Sequence, residues 1–194
     1  MKKLNGTNKI NIAVFISGKG SNLKNLIKHS YAYNSKFRIS LIITDNSKAL
    51  GLKFAKKFHI KKKIVNFNNT KLVEKNLVMF LKRNKISLIC LAGFMRILSK
   101  KFIKNFNGKI LNIHPSLLPK YKGLNTYIRA IKNKEKFSGC TVHLVNSKLD
   151  SGKIILQKKV KIFKKDTPKS LALRILVQEH ALYPKAVKKI LANL

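Results

Sequence analysis

Short, mostly β-branched apolar runs alternate with longer stretches of helical period along most of this chain. INIAVFIS (10–17) is nearly unbroken, as a strand covered on both faces should be, and it leads into Gly18, Gly20 and Ser21. NLKNLIKHSYAY (22–33) then predicts a helix, RISLIITD (38–45) a second strand, and KALGLKFAKKF (48–58) another helix. KKIVNF (62–67) reads as a weaker third strand, and KLVEKNLVMFLKRN (71–84) has its apolar residues at helical spacing. ISLICLAGF (86–94) is a strand buried on both faces, KKFIKNF (100–106) a short helix ending at Gly108, and KILNIH (109–114) the next strand. Strands alternating with helices in this order predict an α/β fold with a doubly wound, mostly parallel sheet.

After Pro119 the pattern changes. GLNTYIRAIKN (123–133) reads as helical, while GCTVHLVN (139–146) and IILQKKVKIF (154–163) alternate like two strands joined by the turn SKLDSGK (147–153). Strands so close in sequence should form an antiparallel hairpin at one edge of the sheet. From Asp166 onward one long final helix is expected, capped by Asp166 or Thr167, with Pro168 in its first turn and Pro184 as a candidate break point. The expectation is one domain over residues 1–194.

Composition narrows the classes. With 45% apolar residues the chain is globular rather than disordered. No apolar run approaches the roughly 20 residues a membrane span needs. The start, MKKLNGTNKINIAVFISG, has a basic stretch, but its apolar run is only about six residues and leads into a glycine-rich turn without a cleavage site. A buried first strand in a cytoplasmic protein is the expectation. Cys90 and Cys140 sit in apolar surroundings as small core residues.

Charge is extreme, with 43 Lys and Arg against 6 Asp and Glu, a net +37. Such a field attracts polyanions, yet the lysines are spread along the whole chain and no aromatic-interleaved RNA motif accompanies them. Only non-specific nucleic-acid contact at low salt is expected. The scarcity of acids is more useful. Any chemistry needing a carboxylate must choose among Asp45, Glu74, Glu135, Asp150, Asp166 and Glu179.

Four stretches carry candidate chemistry. SGKGSN (17–22), between the first strand and helix, lets backbone N–H groups approach a phosphate at a helix start, although a tight turn needs the same glycines. LAGFMRIL (91–98) leaves a buried strand with Arg96 free to anchor a carboxylate or reach solvent, and with apolar residues that suit a cleft or the core. In LNIHP, Asn112 and His114 are two apart on a strand and point to one side, so both can donate to one developing oxyanion. The Leu118–Pro119 bond following them is a candidate cis peptide. Asp150 in SKLDSG either bonds its own turn or stands beside His114 and favours its protonated form. No nucleophilic triad, catalytic cysteine motif or metal-ligand cluster is apparent, with His29, His59, His143 and His180 scattered, and a direct transfer without covalent enzyme intermediate fits best.

SGKGSNL (17–23), LAGFMRIL (91–98), LNIHPSLLPKYKG (111–123), VHLVNSKLDSGKIILQ (142–157) and QEHALYP (178–184) together closely resemble the phosphoribosylglycinamide formyltransferase family of purine biosynthesis, in order and over nearly the whole chain. The resemblance implies a Rossmann-like fold and formyl transfer from the co-substrate 10-formyltetrahydrofolate to the amine of glycinamide ribonucleotide, with no metal. It implies that Asn112 and His114 stabilise the oxyanion, with Asp150 holding His114 charged and positioning a proton-relay water. Gly20, Ser21 and Asn22 would grip the phosphate, and Glu179 the glycinamide. Met95, Arg96, Ile97 and Leu98, with Asn146, Leu149 and Asp150, would hold the folate together with Asn112. Small-molecule substrates, no membrane, and a monomer or weak homodimer complete the expectation.

Lys19 stands where the resemblance leads us to expect a neutral residue, Thr70 and Lys71 where an Arg can meet the folate tail, and Leu176 where a polar contact is possible. Two neighbouring classes are separated by length. A formyltetrahydrofolate hydrolase is expected to carry a regulatory domain ahead of this one, and a methionyl-tRNA formyltransferase a further C-terminal domain, for which 194 residues leave no room.

Overall fold

A computed structural model of the chain describes residues 9–67 and 70–192. The basic residues 1–8 ahead of the first strand lie outside the described residues. The strands are β1 (Ile10–Ile16), β2 (Phe37–Thr44), β3 (Lys61–Ile64), β4 (Ile86–Leu91), β5 (Lys109–His114), β6 (Phe137–Leu144) and β7 (Ile154–Lys161). They form one sheet in the order β3-β2-β1-β4-β5-β6-β7. All pairings from β3 to β5 are parallel, and β6 runs antiparallel to both β5 and β7. The doubly wound sheet with its antiparallel edge is therefore as the hydrophobic pattern predicts.

The helices are α1 (Ser21–Ser30), α2 (Leu52–Lys57), α3 (Thr70–Arg83), α4 (Lys100–Asn105), α5 (Thr126–Lys132) and α6 (Pro168–Leu191). Side chains alternate along β1, and each face meets its own helices. Ile12, Val14 and Ile16 pack with Leu23 and Leu26 of α1 and Ile175 and Tyr183 of α6. Ala13 and Phe15 face the other way, toward Leu77 and Leu81 of α3 and Phe102 of α4. This double cover is why β1 reads as an unbroken apolar run. Cys90 and Cys140 are both buried in the α1/α6 layer, as small core residues. Strand β3 lies at the edge with Lys61 and Lys62 exposed, which accounts for its weak signal.

The long final helix is as expected, without the candidate break at Pro184. Thr167 caps it and Pro168 occupies its first turn, but α6 passes through Pro184 without a break. A proline within a helix removes one N–H and leaves the carbonyl four residues back without its bond. That carbonyl belongs to His180, and the side-chain amide of Asn25 on α1 donates to it. With the orphan satisfied and Tyr183, Pro184, Ala186 and Val187 buried against the sheet, the helix continues. The Leu118–Pro119 peptide is cis.

Strand order reverses between β1 and β4, which have crossovers leading away in opposite directions. At such a switch point the loops leaving the carboxyl ends diverge and leave a crevice. Here Ser17 donates its N–H to the Gly93 carbonyl at 3.1 Å, joining the two loops at the base of the crevice.

Candidate active site

The crevice widens into a cleft of about 1000 Å³. Gly20, Ser21, Asn22, Met95, Arg96, Ile97, Leu98, Asn112, His114, Asn146, Leu149, Asp150 and Glu179 all line it. Lys19 and Leu176 line it too, whereas Thr70 and Lys71 open α3 and are not among its lining residues.

At one end is the start of α1. Gly20 takes a left-handed φ of 72° and contributes no side-chain cap, so the first-turn N–H groups are without intrahelical acceptors. A Cβ on Gly20 would come within 2.7 Å of the Gly51 Cα, and Gly51 donates its N–H to the Gly18 carbonyl at 3.0 Å. The loop therefore needs glycine twice, once for its own φ and once for this close approach. Beside it, buried Glu179 accepts from Asn22 Nδ2 at 2.7 Å. Burial pushes the Glu179 carboxyl up to about 7, against the pull of the Asn22 amide. Asn22 Oδ1 and Thr126 Oγ1 are buried at the cleft wall with no hydrogen-bond partner among the described residues. Buried polar atoms are normally satisfied, so both are openings for a ligand's hydrogen bonds.

In the middle, β5 delivers Asn112 and His114 to the same side, and the β6–β7 connection brings Asp150 to them. His114 Nδ1 lies 3.3 Å from Asp150 Oδ2, and its Nε2 is 2.9 Å from the Tyr121 carbonyl. A carbonyl only accepts, so Nε2 carries a proton. Asn112 Nδ2 reaches Asp150 Oδ1 at 3.4 Å. Asp150 holds a left-handed φ of 44°, and Gly123 donates its N–H to Oδ2 at 2.9 Å.

Burial and Asp150 act on the charge of His114 in opposite directions. Burial lowers the His114 pKa; the Tyr121 carbonyl and Asp150 pull it upward without overcoming that, and His143 and Arg129 add to the lowering. Burial pushes Asp150 up, but hydrogen bonds from His143 and Gly123 and the charges of the two imidazoles bring it below its ordinary value. The net direction favours the neutral imidazole, although both of its ring nitrogens face acceptors.

His143, read from sequence as scattered, belongs to the site. The antiparallel register pairs it with Asn112. Its Nδ1 donates to the Leu144 carbonyl at 2.8 Å, and Nε2 lies 3.2 Å from Asn112 Nδ2 and 3.5 Å from Asp150 Oδ1. Neutral, Nε2 accepts from Asn112; protonated, it donates to Asp150. The signal was available, since a hairpin following KILNIH places TVHLV against that strand.

At the other end, the 93–98 loop is tied to β1 and β2. Ser17 Oγ donates to Asp45 Oδ1 at 2.5 Å and accepts the Met95 N–H at 2.9 Å, while Arg96 Nε pairs with Asp45 Oδ2 at 2.9 Å. Arg96 thus meets a carboxylate of its own chain, with half of its side chain still in solvent. Met95 and Ile97 are 64% and 76% exposed, a degree of apolar exposure that suits a flat ligand lying against them.

A crevice at the switch point of a doubly wound sheet, with an anion-ready helix start and an Asn, His and Asp converging at its centre, defines an α/β enzyme that acts on small molecules. The chain belongs to the formyl transferase family, whose profile matches residues 10–187, and it is a formyltransferase. It is 43% identical over 180 residues to the phosphoribosylglycinamide formyltransferase of Haemophilus influenzae, covering 91% of this chain and 85% of that one. It is 39% identical to a segment of the human trifunctional purine biosynthetic protein adenosine-3, 93% of this chain matching 18% of that longer protein. The crystal structure of the Brucella melitensis phosphoribosylglycinamide formyltransferase superposes with a TM-score of 0.89 at 40% identity, covering 94% of this chain and 95% of that one. Among the described residues no helix is long and apolar enough to cross a membrane.

Proposed function

We propose that this formyltransferase moves the formyl group of 10-formyltetrahydrofolate to the amine of glycinamide ribonucleotide, a step of purine biosynthesis. The observation that carries the reading is the convergence of Asn112, His114 and Asp150 in the same cleft as the α1 helix start. The ribonucleotide phosphate sits on the N–H groups at Gly20, Ser21 and Asn22, where the helix dipole favours an anion and Lys19 adds charge. Glu179 accepts hydrogen bonds from the glycinamide and ribose. The donor lies along Met95, Arg96, Ile97 and Leu98, closed by Asn146 and Leu149.

The amine nitrogen attacks the formyl carbon, and the carbonyl electrons move onto oxygen. Asn112 Nδ2 turns from its long 3.4 Å contact with Asp150 to the oxyanion. The new ammonium loses a proton to the His114–Asp150 pair, directly or through a water, and the imidazolium forms as negative charge builds beside it. A low resting pKa suits this cycle, because the ring accepts a proton readily only when that charge appears and gives it up afterwards. The proton passes to the folate nitrogen, the carbon–nitrogen bond breaks, and formylated amide and tetrahydrofolate leave.

The test mixes the pure protein with 10-formyltetrahydrofolate, with and without glycinamide ribonucleotide, and follows release of free folate. Release only with the ribonucleotide is expected. Equal release without it makes water the acceptor, and no release in either case refutes the reading.

A further inference from the structure

One short loop holds two of the titratable groups at the centre of the cleft, His114 and Asp150. Its Tyr121 carbonyl accepts from His114 Nε2, and its Gly123 N–H donates to Asp150 Oδ2, each at 2.9 Å. Tyr121 and Gly123 are both left-handed, at φ 55° and 75°. A tyrosine does not choose that region by itself, so side chains elsewhere must fix the loop.

Three side chains behind the loop contact it. Arg129 on α5 donates through Nη1 to the Lys122 carbonyl at 2.7 Å and to the Leu124 carbonyl at 3.4 Å, the residues on either side of Gly123. Its guanidinium also lies 5.1 Å from the Tyr121 ring centroid. Glu135, just past α5, accepts from the Tyr121 hydroxyl and from Lys120 Nζ, both at 2.8 Å. Asn133 donates to the same hydroxyl at 3.0 Å.

We propose that Arg129 and the Tyr121–Glu135 pair are positioning residues for the transfer, fixing loop 120–124 from behind so that its carbonyl and N–H meet His114 and Asp150. Solvated contacts such as these contribute little to stability individually. Their leverage lies in where the loop ends, because a displacement well under an ångström at either group changes proton-transfer geometry and hence rate. The inference rests on the formyl-transfer reading above, so its test includes a readout that needs no turnover.

The experiment compares Arg129→Ala, Arg129→Lys, Tyr121→Phe and Lys132→Ala with the unaltered protein. Hydrogen exchange at the Gly123 amide is followed alongside kcat and both KM values. Arg129→Ala should exchange Gly123 about tenfold faster and lose kcat on the order of tenfold with both KM values within about twofold. Arg129→Lys keeps the charge and a donor but not the planar fork, and should regain part of the loss. Tyr121→Phe should shift both readouts in the same direction, and serves alone if Arg129→Ala does not fold. Lys132→Ala removes an exposed charge from the same helix and should behave as the unaltered protein. Unaltered kcat and exchange in Arg129→Ala or Tyr121→Phe, a change in KM alone, or an equal loss in Lys132→Ala overturns the inference. If the unaltered protein transfers no formyl group, the functional reading fails while the exchange comparison still decides this one.

Discussion

His114→Asn should slow formyl transfer by at least about a hundredfold, because a positioned proton-transfer group contributes roughly a hundred- to ten-thousandfold. Ribonucleotide binding should survive, since the phosphate cradle is at the start of α1 and contains no atom of His114. The loss should appear in kcat, the signature of a contact made only in the transition state. The same site sets a pH dependence. The His114 pKa is below its ordinary 6.5 because of burial, and Asp150 is below its ordinary 3.8 despite burial. The acid limb of kcat/KM, which reports groups of the free enzyme, should therefore fall below pH 6.5 rather than above it. A limb displaced to higher pH, or a His114→Asn variant with unaltered kcat, would remove His114 from the mechanism. A melting curve comparable to the unaltered protein's checks that a 5% exposed side chain was replaced without unfolding.

Glu179→Gln should separate stability from function. The unfolded carboxyl ionises near 4.5 and the folded one near 7. Between those values the folded state retains a proton that the unfolded state has lost, so stability falls as pH rises across the window, and the whole loss is present above 7. A shift of this size corresponds to about 3 kcal/mol. Glutamine fills the same space, accepts from Asn22 and carries no charge. The variant should therefore be more stable than the unaltered protein at pH 8 by about 1 to 3 kcal/mol, and by much less at pH 5. Urea unfolding at the two pH values measures this directly. Function should move the other way. Losing a charged acceptor costs about 1.5 to 3 kcal/mol, so KM for the ribonucleotide should rise roughly ten- to a hundredfold. Equal stability differences at both pH values would mean that the buried carboxyl is not strained by its surroundings.

The fold was legible wherever local pattern and burial agree. INIAVFIS and ISLICLAGF are covered on both faces and read as such, whereas KKIVNF, at the sheet edge with only Ile64 and its neighbours to signal it, read weakly. The candidate break at Pro184 was a local rule overruled by a distant residue, since the amide that satisfies the His180 carbonyl is on α1. Site residues followed the same division. Asn112 and His114 were readable because both sit on one strand with period two. Asp150 was readable because acids are so scarce. His143 needed the β5–β6 register, a pairing across 31 residues that no local window contains. The loop behind His114 was also hidden, because the role of Tyr121 is played by its carbonyl, which every residue has. Asp45 was named among the acids, yet its partnership with Ser17 and Arg96 exists only once β1, β2 and the 93–98 loop converge.

Asp150→Asn followed through a single turnover tests the central claim most directly. Asparagine accepts the left-handed φ of this position and keeps an acceptor for the Gly123 N–H, while its Nδ2 replaces the oxygen that faces Asn112 and the charge is lost. With both substrates already bound, the rate of formyl transfer should fall by at least about a hundredfold while both dissociation constants stay within about twofold. Transfer at the unaltered rate by this variant would contradict the account, because no carboxylate would then be needed at the carbon where the amine attacks.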